Sequence, residues 1–293
     1  QWNLYYQGAE LMCDTSDSGE NRLFMGGYKE YNFCSYFNAL SIEKWKKYTN
    51  IKKFYLILDI EGKFEVSLDG YHLEAEVDQR TRYLKKKFQN DSREKVEIEI
   101  PLDNQEMLFA FSIRAYSDCV LYGGTYDAII DEDELNEVNI AISTTTFRKE
   151  EYIKTNVEMI KNELISDPYM GEHWFMHVVD NGRTLEREEI ESKHIFYHPN
   201  KNVGGAGGFA RGMIEVLDQK EPITHILLMD DDVLIYAEAL KRTYYLLHMI
   251  KEKYKEYVIS GAMLNLEEMN LFWEDTAYIS GGVNRATKEP RDM

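Results

Sequence analysis

No stretch of this chain approaches the ~18 consecutive apolar residues that a membrane-spanning helix requires, and no signal peptide opens it. A cytoplasmic protein is therefore expected, with peripheral attachment to the inner face of the plasma membrane left open. Cysteine is scarce: Cys13, Cys34 and Cys119 are widely spaced, odd in number and form no C-x-x-C pair. That points to a reducing compartment and argues against structural zinc. Basic charge is short as well. Against 52 Asp and Glu stand 34 Lys and Arg, a net charge of −18, and no basic run exceeds 85–87, so polymeric nucleic acid is not an expected partner. The chain opens on Gln1 and stops at Met293 in a polar stretch, so it is expected to be a segment of a longer protein. Its 293 residues nonetheless suffice for two domains with cores of their own.

Residues 1–40 are rich in Tyr, Phe and Gly with little periodicity and are expected to form loops and short strands. Ser41 can cap a helix that has Glu43 in its first turn and Ile42, Trp45 and Tyr48 at three-residue spacing. Strand signals follow at 54–60, a turn at Glu61-Gly62, a strand at 64–68, and then Asp69-Gly70, a strong hairpin dipeptide. Val96, Ile98 and Ile100 alternate with Glu97 and Glu99, Phe109, Phe111 and Ile113 alternate again, and a third strand pair ends near Gly123-Gly124. Short alternating strands without a long helix predict an antiparallel β-sandwich or barrel. The acidic run 131–137 reads as linker or surface loop and separates a domain 1–136 from a second, 137–293.

From Val138 strands alternate with helices, which predicts a parallel sheet and an α/β fold. Residues 138–143 read as strand and 149–166 as an amphipathic helix with Ile153, Val157, Ile160 and Leu164 on one face. Strands at 174–179 and 194–197 follow, then a helix, a buried strand at 226–229, a helix over 237–254 and a strand at 257–260. In a parallel sheet the strand ends Thr/Arg, Asp-Asn-Gly and Asp-Asp-Asp all lie on one edge.

The stretch 202–233 carries the chemistry. Its glycine cluster lets backbone N–H groups approach a phosphate, and the helix that follows adds its positive dipole end. At its far end Asp230, Asp231 and Asp232 leave an apolar strand, the usual place for ligands in open α/β sheets. Two carboxylates at about 4 Å repel by about 4 kcal/mol at an effective dielectric near 20, so the triplet calls for a cation. Asp230 and Asp232 point the same way in extended chain and offer two hard oxygen ligands suited to Mn²⁺ or Mg²⁺, with substrate phosphates completing the shell. A metal-bridged diphosphate is the expected ligand. Other readings compete. The triplet also suits a solvated loop, and Gly205-x-Gly207-x-x-Ala210 also fits a dinucleotide fingerprint, although that motif should follow a first strand directly. Arg211 can reach a diphosphate or lie along the surface; Arg148 adds a cation at the same edge, with Thr146 capping the next helix; Asp180 can cap a turn or accept from a base. His173, His177, His194, His198 and His225 form no i, i+4 ligand pair on a helix and read as structural.

Taken together, Thr146-x-Arg148, Asp180-Asn181-Gly182, the segment from Asn202 through Gly204, Gly205, Gly207 and Gly208 to Arg211, and Met229-Asp-Asp-Asp-Val233 resemble the family-2 inverting glycosyltransferases of GT-A fold. The specific form of the glycine segment is similar to bacterial galactofuranosyltransferases that polymerise cell-wall galactan. Tyr36-Phe37-Asn38, Lys44-Trp45 and Tyr48-Thr49 look like the early part of the β-sandwich that precedes the GT-A domain in those enzymes. The resemblance implies UDP-galactofuranose as donor, Mn²⁺ or Mg²⁺, and a glycan or lipid-linked glycan acceptor; a homo-oligomer is the expected assembly. It implies that Thr144 and Arg148 contact the nucleotide, Asp180 the uracil, Asn202 to Arg211 the phosphates and sugar, and Asp230 and Asp231 the ribose, with Asp230 and Asp232 on the metal. An inverting transferase also needs a carboxylate base for the acceptor hydroxyl, which the family places well downstream with a metal-binding histidine. Here the candidates are Glu274 and Asp275, and no histidine follows His248. The acceptor half of the domain is therefore expected to lie outside these residues. A nucleotidyltransferase and a non-catalytic glycan-binding protein built on the tyrosine-rich first domain are the alternatives.

Overall fold

Alternation of apolar residues over the first half builds strands far longer than the turn signals imply. The computed structural model describes residues 5–15, 19–74, 77–268, 271–274, 277–281, 283–286 and 291–292. It divides the chain into two compact units: Gln1–Glu134 with Lys251–Met293, and Leu135–Ile250.

In the first unit, strands β1 (Gln7–Gly8), β2 (Met12–Thr15), β3 (Asn21–Met25) and β4 (Glu30–Asn32) precede helix α1 (Ile42–Tyr48). Ser41 holds the N-cap position of α1 without a side-chain cap bond. Strands β5 (Lys53–Glu74), β6 (Val77–Ile100), β7 (Leu108–Ala115) and β8 (Cys119–Ile129) follow. They form one curled antiparallel sheet in the order β1-β4-β7-β5-β8-β3-β2, with β6 beside β5. The sandwich of separate sheets is thus a single sheet in which β5 is shared, pairing with β8 early and β7 late. Its even-numbered side chains, Phe54 and Leu58 through Phe64 to Leu68, are buried in one core. Neither expected turn in β5 exists. Glu61-Gly62 is a bulge, where Gly62 takes φ +112° and an added Cβ would stand 2.6 Å from Cys119 Sγ. Asp69-Gly70 stays in the strand because Asp69 is buried against Arg80 and Arg82 of β6, at 2.6 and 2.8 Å.

In the second unit the order is β9 (Ile140–Thr146), α2 (Glu150–Ile160, prolonged by a π turn over Lys161–Ile165), β10 (Trp174–Asp180), α3 (Arg187–Ile190), β11 (Ile195–Pro199), α4 (Gly204–Asp218), β12 (His225–Asp230) and α5 (Ala237–Met249). All four strands are parallel, in the order β11-β10-β9-β12. Every residue of β10 is buried, as a parallel strand covered on both faces requires. Ile153, Val157 and Ile160 of α2 and Leu240, Tyr244 and Leu247 of α5 cover one face; Val216 of α4 packs with Ala141 and Phe175 on the other.

Four expectations are corrected here. Helix α2 begins at Glu150 with Lys149 as its N-cap, so Thr146 ends β9 rather than capping the helix. Strand β12 is an edge strand whose Leu228 is half-exposed, not a buried one. Helix α5 stops at Met249, where the Asn136 backbone N–H donates to the His248 carbonyl and its side-chain amide to those of Leu247 and Ile250; capping the last turn from outside ends the helix. Residues 257–260 form no strand: the Tyr257 N–H closes a turn on Tyr254 and Val258 is left exposed. Beyond them β13 (Met263–Leu264), β14 (Leu271–Glu274) and β17 (Arg291–Asp292) pair antiparallel, as do β15 (Ala277–Ser280) and β16 (Val283–Ala286).

Candidate functional site

The chain leaves β9 for β10 and β11 on one side and returns to β12 on the other, so the strand order reverses at β9. Ligands of open α/β sheets bind at such a reversal, outside the carboxyl ends of the strands. Register places Thr146 opposite Asp180 and Thr145 opposite Asp230. With strands ~4.8 Å apart, Asp180 and Asp230 are separated across the edge by about 10 Å. The Thr, Asp-Asn-Gly and Asp-Asp-Asp ends therefore do share one edge.

Asp180 is fully buried, and its carboxylate builds the loop after β10. Oδ1 accepts from the N–H groups of Gly182 and Arg183, Oδ2 from those of Thr184 and Leu185 and from the Tyr197 hydroxyl, at 2.8–3.2 Å. Five donors use up the four or so lone-pair sites of a carboxylate, so a ligand here meets the loop that Asp180 shapes and not the carboxylate itself. Asn181 links that loop to the next element: it accepts from Asn200 Nδ2 at 2.9 Å and donates to the Gly204 carbonyl at 3.2 Å.

The glycine segment is the first turn of α4, not a turn ahead of it. Asn202 Oδ1 accepts from the Gly204 N–H at 3.2 Å, and an added Cβ at Gly204 or Gly205 would meet open space, while one at Gly207 would meet Val203. Gly208 and Gly212 serve a different end: a Cβ there would strike the side chains of Thr145 and Ser143, so these two let α4 lie against β9. Arg211 pairs with Glu215 one turn along. Glu215 also faces His198 Nδ1 at 3.6 Å, and His198 Nε2 lies 3.0 Å from Nδ1 of buried His177, whose Nε2 meets Gln219. Burial pushes both imidazoles below the usual histidine value, Glu215 opposing it.

Thr144 lies two residues below the edge, fully buried between Val178 and Met229 in register. The hydroxyls of Ser143, Thr144, Thr145 and Thr146 are buried without a hydrogen-bond partner. Arg148 follows with φ +59°, a left-handed conformation that a bulky residue adopts only where the surroundings enforce it; its guanidinium lies over the Phe147 ring. Arg183 has φ +54° in the neighbouring loop and donates to the Asn200 carbonyl.

At the triplet Asp230 is exposed and ends β12, whereas Asp231 is buried and lies with Asp232 in the turn that follows. Lys149 reaches both of these, with Nζ 3.6 Å from Asp231 Oδ1 and hydrogen-bonded to Asp232 Oδ2. Its ammonium holds the Asp232 carboxyl below the usual carboxylate range. Buried Asn156 of α2 fixes the turn by donating to the Asp231 and Val233 carbonyls at 3.1 and 3.2 Å. Among the described residues no group of three or more His, Cys, Asp or Glu is placed to hold a metal ion. The pair converging on the Lys149 charge is Asp231 with Asp232, rather than Asp230 with Asp232. Two hard carboxylate oxygens around one cation position fit Mg²⁺ or Mn²⁺, which need few protein ligands.

Lys149, Asn156, Asn200 and Arg183 escaped the sequence reading. Asn156 alone left a trace there, a polar residue on the apolar stripe of α2. Of the candidate bases, Glu274 lies on β14 in the other unit, its backbone paired with Met263, and Asp275 falls outside the described residues. No helix among the described residues is long and apolar enough to cross a membrane, and the three cysteines are free.

Residues 3–128 match the family described as Galactofuranosyltransferase 2 N-terminal. Galactofuranosyltransferase GlfT2 of Mycobacterium tuberculosis is 26% identical over 84% of this chain, which spans 39% of that protein; its counterpart from Mycolicibacterium smegmatis is 23% identical over 84%, spanning 38%. The chain therefore resembles galactofuranosyltransferases and covers well under half the length of these relatives. Solved structures are more distant: a Clostridium thermocellum xylanase with its carbohydrate-binding module aligns over 60% of this chain and 35% of its own at 8% identity and TM-score 0.29, and a second module of that organism over 42% and 81% at 11% and 0.24. Likeness that slight carries no argument.

Proposed function

We propose that Leu135–Ile250 is the donor-binding half of a GT-A glycosyltransferase that takes a sugar, galactofuranose by its relatives, from a UDP-sugar to a glycan or lipid-linked glycan with inversion. The observation that carries this is the convergence on one sheet edge of the Asp180 loop, the open glycine N-terminus of α4, Arg148 and the Asp230–Asp232 turn. In this reading the base rests on the 181–185 loop. The diphosphate accepts from α4 N–H groups at Gly204 and Gly205, where the lack of side chains permits close approach, and Arg148 adds a cation from the far side. Asp231 and Asp232, with Asp230 beside them, hold Mn²⁺ or Mg²⁺, which when bound neutralises charge on the departing diphosphate. Calorimetric titration with UDP tests it. Wild type binds UDP only with Mn²⁺ present and Asp232→Ala abolishes that binding; a wild type that ignores UDP with metal overturns the donor site.

A second reading rests on the first unit. Tyr5 stacks on Phe37 at 4.8 Å, Tyr36 meets Phe37 edge-on at 5.1 Å, and all three rings are about half-exposed. Ser35 Oγ and Asn38 Nδ2 both donate to the Tyr5 carbonyl and hold the cluster in place. Exposed aromatic faces with hydroxyls beside them suit the C–H faces of sugars, and an acidic chain favours a neutral ligand. We propose this patch as a contact for the glycan.

A further inference from the structure

The position at which two carboxylates of the Asp-Asp-Asp turn converge is held by a residue of the chain itself. Lys149 sits at the N-cap of α2, immediately after Arg148 has turned the backbone through a left-handed conformation. Two helical turns further on, Asn156 ties the same helix to the carbonyls of Asp231 and Val233. Helix α2 and the acidic turn are therefore pinned to each other, and the Lys149 ammonium is delivered to Asp231 and Asp232 by fixed backbone at both ends.

We propose that Lys149 is an internal counter-ion that competes with the divalent cation for Asp231 and Asp232, and that it yields only when a nucleoside diphosphate arrives to accept it, so that metal and nucleotide load together. This positioning role rests on the donor-site reading above. The physical argument is electrostatic. An ammonium and a divalent ion cannot share two carboxylates at contact distance without strong mutual repulsion, and the positive end of α2 adds to the cost of a second cation. A free metal ion therefore meets a pair of carboxylates whose negative charge one ammonium already offsets by half. A diphosphate changes the balance because its oxygens bind the metal and also offer a flexible lysine new acceptors. Lys149 need move only as far as its own side chain allows, since its stem is partly exposed.

The test measures Mn²⁺ affinity of the full chain without nucleotide, by electron paramagnetic resonance, for wild type, Lys149→Met and Lys149→Arg, and repeats it with saturating UDP. Removing the competing charge is expected to tighten binding of Mn²⁺ alone about tenfold or more and to shrink by a similar factor the gain in Mn²⁺ affinity that UDP brings. Lys149→Arg keeps the charge and stays near wild type. Asp232→Ala combined with Lys149→Met erases the gain, which identifies the carboxylates as its source. Unchanged or weaker Mn²⁺ binding by Lys149→Met, with thermal melting showing the variant folded, overturns the proposal. The wild-type UDP titration reports separately on the donor site: metal-dependent UDP binding together with an unresponsive Lys149→Met leaves the donor site standing and removes only the counter-ion.

Discussion

At Asp180 a buried carboxylate carries five hydrogen bonds from one loop and the neighbouring strand, so its removal strands several donors at once. Each buried donor left without a partner costs about 1–3 kcal/mol, and with partial relaxation Asp180→Ala is expected to lose about 3–5 kcal/mol, read from urea denaturation. The exposed Asp232 is the contrasting case. Asp232→Ala leaves stability within about 0.5 kcal/mol while removing metal-dependent UDP binding. Two substitutions that behaved alike would contradict the proposed division between a carboxylate that builds a loop and one that holds a ligand. His177 and His198 titrate in a defined direction. Burial depresses both below their unfolded value, so the unfolded chain binds more protons between the two values and stability falls as pH drops through that interval. Thermal melting from pH 7 down to about pH 5 is expected to show this loss, with a shallower slope in His177→Gln.

Helix α4 carries two kinds of glycine on one element. Gly208 and Gly212 lie against Thr145 and Ser143 of β9, so alanine at either forces the helix away from the sheet at about 1–3 kcal/mol, more than the ~1 kcal/mol that alanine gains over glycine in a helix. Gly205 faces open space, and Gly205→Ala is expected to raise Tm slightly while weakening UDP binding, because the proposed donor site brings the phosphate to the face where the added methyl would stand. Opposite signs on stability at positions 205 and 212 are the outcome to check by thermal melting. Both glycine roles were present in the spacing of the segment, but only the register of α4 on β9 separates them. Strand β5 shows the same limit from the other side. Asp69-Gly70 has the composition of a hairpin turn, yet arginines on the paired strand neutralise Asp69 and keep the chain extended; no local signal contains that partner.

For the molecule as a whole, two units imply separable effects. Phe37→Ala is expected to weaken binding of a neutral oligosaccharide to the full chain without altering metal-dependent UDP binding, and Asp232→Ala to do the reverse, both by calorimetry. The chain spans 39% of the length of the first relative. Glu274 belongs to a short strand paired with β13, a placement that periodicity and spacing in the sequence did not foresee.

Local chemistry determined which residues alternate, where the α/β grammar begins, and that glycine, arginine and aspartate clusters end successive segments, because side-chain period and strand-end composition are properties of neighbouring residues. Tertiary structure decided that the strands lie parallel in the order β11-β10-β9-β12, which is what puts those clusters on one edge. It also decided that Asp180 is consumed by its own loop and that Asp231 and Asp232 converge on Lys149. These contacts join residues far apart in the chain, and their energy depends on burial and charge that only the folded arrangement supplies.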